Sequence, residues 1–552
     1  MGGGSNAVAS GSITVVTSHN LRRTSAATYP LVSLKPSQSI PRLPLLAPGT
    51  AESDAFAEKS RDGRLLNNSK DLFRAARNVV AISIPARESK SIQNNVTLKG
   101  SILRIPKLRS LHTDPHDASR RLLQLNVKSI DDLPEEIQGF IKENQLPNSD
   151  TEVAVDYNYW SVDEVLSSLL PEGLPEGTPT AFTTTGHIAH LNLREEYSAY
   201  RYLIGQVILE KNNQIRTVVN KLDSIDNEFR FFKMERLAGD DEYEVTVSES
   251  GCTFTFDFRT VYWNSRLNTE HERLVTTFQP YDVISDVMAG VGPFAVPAAK
   301  KGVYVLANDL NPSSYESMVF NQKKNKVEEN LRCYCEDGRL FIKESIRRCW
   351  EEPWEGIPTS KEACKLDLES KTAKGRAKRQ HQKLKGIKQS PIERGPPRRL
   401  IKHFVMNLPG SALEFLDAFP GAYKSIMGVE FERKMEQEGA HWPMVHVHCF
   451  TKDIEHPYED ICRRANERLG LTGADCLVPP PSPPVDLATR ERAAQDRDRK
   501  MTPDIADLSL NTSPPTPDLT IHYVRSVAPN KDMYCLSSVS YTHLTLPTIR
   551  LV

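Results

Sequence analysis

The chain holds 552 residues, with 70 Lys and Arg against 71 Asp and Glu and a formal charge of −1. That balance excludes a polycationic nucleic-acid coat, so any affinity for nucleic acid has to reside in a local basic surface. No apolar run approaches the roughly 20 residues of a membrane span, so no membrane partner is expected. The nine cysteines form no CxxC pair and no His/Cys group at zinc spacing. They read as reduced thiols, and no metal is expected.

The first fifty residues contain no Asp or Glu but carry Arg22, Arg23, Lys35 and Arg42 among many Ser, Thr and Ala. This composition fits a mitochondrial transit segment and equally a disordered tail, and residues 1–60 are expected to be unstructured. Residues 61–180 read as a small α/β domain. Asn78–Ala86 and Arg120–Asn126 carry strand signals, and Pro134–Asn144 reads as a helix. Ser161–Gly173 reads as a second helix, opened by a capping box of Ser161 and Glu164. A middle α/β module is expected over 181–279, with strand signals in His187–Leu193, Tyr202–Asn212, Thr217–Asp223 and Tyr243–Phe258.

From residue 280 to 538 the rhythm becomes strand, Gly-rich turn, helix, strand, which predicts a doubly wound, mainly parallel sheet. Two stretches, 351–400 and 477–518, read as insertions without a packed core. The first overlaps a basic run, residues 371–402, with twelve Lys/Arg against the single acid Glu393. Such a run suits a solvated loop or a loose phosphate contact.

The strongest local signal is Asp286-Val-Met-Ala-Gly290-Val-Gly292, a Gly-x-Gly turn directly after an apolar strand. Glycines there let the backbone turn tightly and approach a ligand. Asp309 ends the next strand, where a carboxylate grips a nucleoside ribose, and Asp337-Gly338 follows the third, where it can accept from an adenine amino group. The third glycine of a dinucleotide fingerprint is replaced by Ala295. With Asp286 ahead of the turn, this favours S-adenosyl-L-methionine over a dinucleotide. The bland alternative is three ordinary strand-end carboxylates. The fourth strand ends in Asn407-Leu-Pro-Gly, where Asn407 can hold a cofactor or a base edge or simply form a turn before Pro409. Upstream lies Tyr262-Trp-Asn-Ser-Arg266-Leu-Asn-Thr-Glu270-His271. Methylating a protonated ring nitrogen requires a base and a cation to offset charge developing on the carbonyl. From the residues alone, several acids could serve.

These motifs, together with GHIAHLNLREEY, YLIGQVILEKN, NKLDSIDNEFRFFKMERLAGD, VLANDLNPSSYE and VRSVAPNKDMYC, carry a resemblance that runs from about Leu72 to Leu536. Over that span the chain resembles the archaeal–eukaryotic tRNA (guanine-N1)-methyltransferase family, which acts at guanosine 37, 3′ of the anticodon. The resemblance implies an N-terminal domain that touches the outer corner of tRNA. It also implies that a middle domain and a Rossmann-type catalytic domain grip the anticodon stem-loop, with the target base flipped out of its stack. Carried over, Glu270 matches the general base, Arg230 the cation at guanine O6, and Asn407 the asparagine of the pocket. Cofactor contacts fall on His271, Asp286, Gly290, Gly292, Asp309, Leu310, Asp337, Gly338 and Asn407, and substrate contacts on Tyr262 and Arg266. For Glu270 the alternative is a helix-start carboxylate paired with Arg266 or Arg273.

Ser265 stands where the family often has Pro. The tail, residues 539–552, looks foreign, and its lost pairing is expected to weaken the last strand. The resemblance also suggests a monomer, and with the acid-free start the chain is expected in the mitochondrial matrix, the cytoplasm and the nucleus. Its rivals are the sister aminocarboxypropyl transferase of wybutosine synthesis, a silent tRNA-binding protein and, more distantly, an NAD-dependent oxidoreductase.

Overall fold

A computed structural model describes residues 34–37, 40–175, 177–222, 233–371, 392–428, 442–473, 476–479, 519–528 and 530–539. By its internal contacts the chain divides into two units, residues 1–181 with 193–213 and residues 182–192 with 214–552. The middle module expected over 181–279 therefore spans this division.

The first unit is built on a four-stranded antiparallel sheet of β1 (Ala75–Pro85), β2 (Leu111–Thr113), β3 (Arg120–Gln124) and β4 (Asn148–Val155), in the order β2-β3-β1-β4. The inner half of β1 is buried without a break, as a central strand covered on both faces requires. The helix Val162–Leu169 opens with the expected capping box of Ser161 and Glu164. Arg42 closes its other end by donating to the carbonyls of Ser167 and Leu170 at 2.8 and 2.9 Å, where a helix leaves acceptors unpaired.

Two expectations fail in this unit. The described residues before position 60 are ordered: Ile40 and Leu46 are buried, and Ala51–Ser60 is a helix capped by Thr50. The strand expected at Tyr202–Asn212 is the helix Arg201–Lys211, in which Tyr202, Leu203, Ile204, Val207 and Ile208 are all buried. A helix buried on nearly all sides shows no amphipathic period, and its apolar run then reads as a strand.

The second unit begins with a four-stranded sheet of β5 (Thr183–Thr185), β6 (Ile188–Leu191), β7 (Thr217–Lys221) and β8 (Met234–Gly239). Next comes a hairpin of β9 (Glu244–Glu249) and β10 (Cys252–Asp257). Its two-residue turn puts Ser250 and Gly251 at φ 48° and 68°, the left-handed pair that matches strand twist. The seven-stranded sheet contains β11 (Val283–Asp286), β12 (Tyr304–Asn308), β13 (Leu331–Tyr334), β14 (His403–Met406), β15 (Met444–Thr451), β16 (Leu519–Ala528) and β17 (Lys531–Val539). Its order is β13-β12-β11-β14-β15-β17-β16, with β11 to β15 parallel and β17 antiparallel to both neighbours. The doubly wound, mainly parallel sheet is thus present. The strand order reverses between β11 and β14, where such sheets bind ligands beyond their carboxyl ends.

Each face of this sheet carries its own core. Tyr304, Leu306, Phe404, Met406, Val447 and Cys449 look one way, and Ile284, Val305, Ala307 and Val405 look the other. Helix Pro312–Asn325 holds the hairpin to the second face through two asparagines. Asn321 accepts from the Thr255 amide and donates to the Val291 carbonyl, while Asn325 clasps both backbone groups of Thr253. Backbone groups of an edge strand are satisfied in this way.

Of the two expected insertions, the described part of 351–400 is ordered. Lys361–Ser370 is a helix, Trp354 and Pro358 bridge to Arg398 and Arg394, and Arg394 is bonded to Asp367 at 2.6 Å. A charge-rich composition concealed an anchored stem. Residues 372–391, which include most of the basic run, and 480–518 lie outside the described residues. The last strand is paired on both sides through Ser538, opposite Val445 and Leu519, so the expected loss of pairing does not occur there. Residues 540–552 lie outside the described residues.

Candidate active site

Strand β11 is wholly buried and ends at Asp286. The chain then turns through Gly290 and Gly292, at φ 56° and 97°, values that only glycine adopts at low cost. A Cβ on Gly292 would stand 2.8 Å from Val296 Cγ2. The Gly290 amide donates to Asp309 Oδ2 at 2.8 Å, and Asp309 Oδ1 accepts from the Asn311 amide at 3.0 Å. Asn308 ties the third strand tip to the first, donating to the carbonyls of Val287 and Glu336 and accepting from the Glu336 amide. Asp337 caps helix Gly338–Glu351 through Oδ1, and Leu310, next to Asp309 in the chain, is exposed. Asn407 follows β14, and its Oδ1 is buried without a partner. Asp286, Gly290, Gly292, Asp309, Leu310, Asp337, Gly338 and Asn407 therefore gather at the carboxyl ends of adjacent strands.

Asp286 is fully buried, and neither carboxylate oxygen completes a hydrogen bond. Burial, reinforced by the Asp309 charge, pushes its carboxyl up to about 8. Asp309 is also raised by burial, against the pull of the Asn311 and Gly290 amides. Burial makes the charged form of a carboxyl costly, and a second carboxylate nearby makes it costlier still.

Glu270 and His271 lie in the first turn of helix Asn268–Thr277, and both are buried. Arg273 donates to Glu270 bidentately, Nε to Oε2 at 2.6 Å and Nη2 to Oε1 at 2.7 Å. His448 Nε2 on β15 donates to Oε1 at 2.7 Å. Burial would raise the Glu270 carboxyl, but the Arg273 and His448 bonds outweigh it and hold it at about 2. Burial opposes charge on His448, yet Cys535 and Glu270 outweigh that and raise the ring to about 10. The carboxylate is an anion held by donors, so it can receive a proton. The Arg273 pairing considered from sequence is present, and the Arg266 pairing is not. One ligand-type atom each from Glu270, His448 and Cys535 falls within 4.8 Å of the others. Arg273 already supplies the cation at that carboxylate.

His271 donates Nδ1 to Glu249 at 2.6 Å and meets Phe294 edge-on at 4.6 Å, so it ties the helix to the hairpin beside the glycine turn. Tyr262 is 42% exposed. Arg266 is exposed and donates to Thr183 Oγ1 at 3.3 Å. Burial and then Arg266 lower Lys221 to about 8. Burial, Lys221 and Arg266 together lower His190 to about 4. Arg230 lies outside the described residues.

Sequence reasoning missed His448, Lys221 and His190, and it met Arg273 only as a bland alternative. The one local signal was the Val/His alternation of VHVHCF, which puts His446 and His448 on one face of a strand.

A family model described as the TRM5/TYW2 methyltransferase domain matches residues 245–348, and one described as the TYW2 N-terminal domain matches 162–242. The chain is 44% identical over 476 residues to a tRNA (guanine(37)-N(1))-methyltransferase of Coprinopsis cinerea, covering 85% of this chain and 92% of that one. It is 39% identical over 496 residues to a protein of the same description from Schizosaccharomyces pombe, covering 89% and 96%. A solved structure described as the complex of aTrm5 and tRNALeu is 17% identical with a TM-score of 0.49, covering 83% of this chain and 98% of that one.

Proposed function

The chain belongs to the tRNA (guanine(37)-N(1))-methyltransferase family, and from that premise we propose how its residues divide the transfer of a methyl group from S-adenosyl-L-methionine to N1 of guanosine 37. The carrying observation is the strand-tip crevice at the β11/β14 reversal, where Asn407 Oδ1 and the Asp286 carboxyl are buried without partners. Polar atoms left so inside a protein call for a ligand to complete them.

The residues present fit the cofactor. The glycine turn admits close approach, Asp309 suits ribose hydroxyls, and Asp337 keeps Oδ2 for the adenine amino group. Leu310 and Gly338 bound the base, and His271 steadies the turn through Phe294. When bound, S-adenosyl-L-methionine supplies an electrophilic methyl group. The chain's own part is proton management. Glu270, ionised at neutral pH, takes the guanine N1 proton, and the electron pair left on N1 becomes the nucleophile. Arg230 offsets the negative charge that develops at O6. Tyr262 offers a ring face to an extruded base, and Arg266 with Lys221 receives a flanking phosphate.

The test is mass mapping of tRNA after incubation with the protein and labelled cofactor. We expect one methyl group on N1 of guanosine 37 and none on tRNA carrying another base there. An aminocarboxypropyl adduct would assign the chain to the sister reaction, which the name of the 162–242 match keeps in view.

We further propose a monomer that contacts the tRNA outer corner through its first unit and the anticodon stem-loop through its second. The acid-free start supports import into the mitochondrial matrix beside cytoplasmic and nuclear pools. The bonds of Arg42 and the burial of Ile40 argue that any processing falls upstream of Ile40. Fusing the first forty residues to a reporter, with Arg22 and Arg23 changed to Ala as control, tests that route.

A further inference from the structure

The two oxygens of the Glu270 carboxylate are not equivalent. Oε1 receives two donors, Arg273 Nη2 and His448 Nε2, both at 2.7 Å. Oε2 receives one, Arg273 Nε at 2.6 Å, and His522 Nε2 stands beyond bonding reach at 3.8 Å. A carboxylate oxygen offers two lone-pair sites, so Oε1 is full and Oε2 keeps one. His448 cannot drift. Its side chain is fully buried on a central strand, with its ring 5.7 Å from Phe294, the residue that follows the glycine turn.

We infer that His448 is a positioning residue for methyl transfer: by filling Oε1 it fixes the plane of the Glu270 carboxylate and leaves Oε2 as the oxygen that takes the guanine N1 proton. The inference rests on Glu270 being the base. In the step it serves, the N1–H bond breaks, its electron pair stays on N1, and the proton forms an O–H bond at Oε2. A base must be held at the proton it removes, and loss of orientation reduces the rate without weakening substrate binding.

The groups that face Glu270 are Arg273 on its own helix, His446 and His448 on β15, His522 on β16 and Cys535 on β17. Asp286 faces His448. Removing the His448 donor therefore leaves the carboxylate less stabilised as an anion, and its protonation moves to higher pH.

The experiment is steady-state kinetics across pH for His448→Leu, His448→Gln, His448→Asn and Glu270→Gln in the full-length chain, with tRNA and S-adenosyl-L-methionine. His448→Leu should lower kcat on the order of tenfold to a hundredfold and leave KM for tRNA near that of the parent. The acid limb of its kcat profile should move to higher pH. His448→Gln, whose amide reaches as far as Nε2, should recover most of the rate, and His448→Asn, whose amide stops short, should not. The Gln/Asn contrast stands even if the Leu variant does not fold. A slow Glu270→Gln beside parental kcat and an unmoved acid limb in His448→Leu would overturn the inference alone, as would equal rates for Gln and Asn. A Glu270→Gln variant with parental turnover would instead remove the base beneath it.

Discussion

Within the catalytic unit, the strand-tip crevice and the polar seam under helix Asn268–Thr277 are built differently. At the tips the structure is made by backbone and by short spans: Gly290 bonds Asp309 19 residues away, and the turn holds its shape because two glycines take left-handed φ. On the sheet face the structure is made by side chains brought from far apart, with Glu270 and His448 separated by 178 residues. The face also departs from the rest of the core. Val447 and Cys449 sit in an apolar cluster, while His446 and His448, their alternates on β15, face charged partners. A backbone-built site tolerates neighbours and fails on a Cβ. A side-chain network fails when one donor is lost, because a buried charge left unpaired costs more than the bond contributed.

The comparison breaks most visibly at Glu270. Glu270→Gln should lower the chemical step roughly 10²–10⁴-fold with tRNA affinity nearly intact, read by single-turnover methyl transfer. Parental turnover would show that the seam is structural only. Next, Gly292→Ala forces a Cβ against Val296 at positive φ. It should weaken S-adenosyl-L-methionine binding by about 1–3 kcal/mol, read by calorimetric titration, and an unaltered affinity would place the ligand elsewhere. Asn321→Ala removes the acceptor for Thr255 and the donor to Val291. It should destabilise the fold by about 1–3 kcal/mol, seen as a lower Tm.

The last effect has the opposite sign and depends on pH. The Asp286 carboxyl is raised from 3.8 to about 8 in the folded chain, so the folded state loses stability as pH rises between those values. Without cofactor, Asp286→Asn should therefore match the parent near pH 4 and gain in relative stability, with a progressively higher Tm, as the pH approaches 8. A Tm difference that does not change with pH would show that burial is not the cause.

What could be read before the fold was known follows the same division. The Gly290–Gly292 turn and the Ser161 capping box were legible because each is a short-range rule about φ or an unpaired backbone group. The helix Arg201–Lys211 was misread because a helix buried all round leaves no period to detect. The stems around residues 351–400 were misread because the bond of Asp367 to Arg394 is invisible in composition. Glu270 was found only through family resemblance, and nothing near it in sequence announced His448.

By itself, the sequence determined the frame of strand, glycine turn and helix, and which acids end the strands, because those depend on local backbone preference and alternation. Only the tertiary structure decided what surrounds Glu270. His448 reaches it because the sheet order sets β15 beside β14 and β17, beneath a helix that precedes the whole sheet in the chain. Strand order comes from packing over long separations, and no local propensity encodes it.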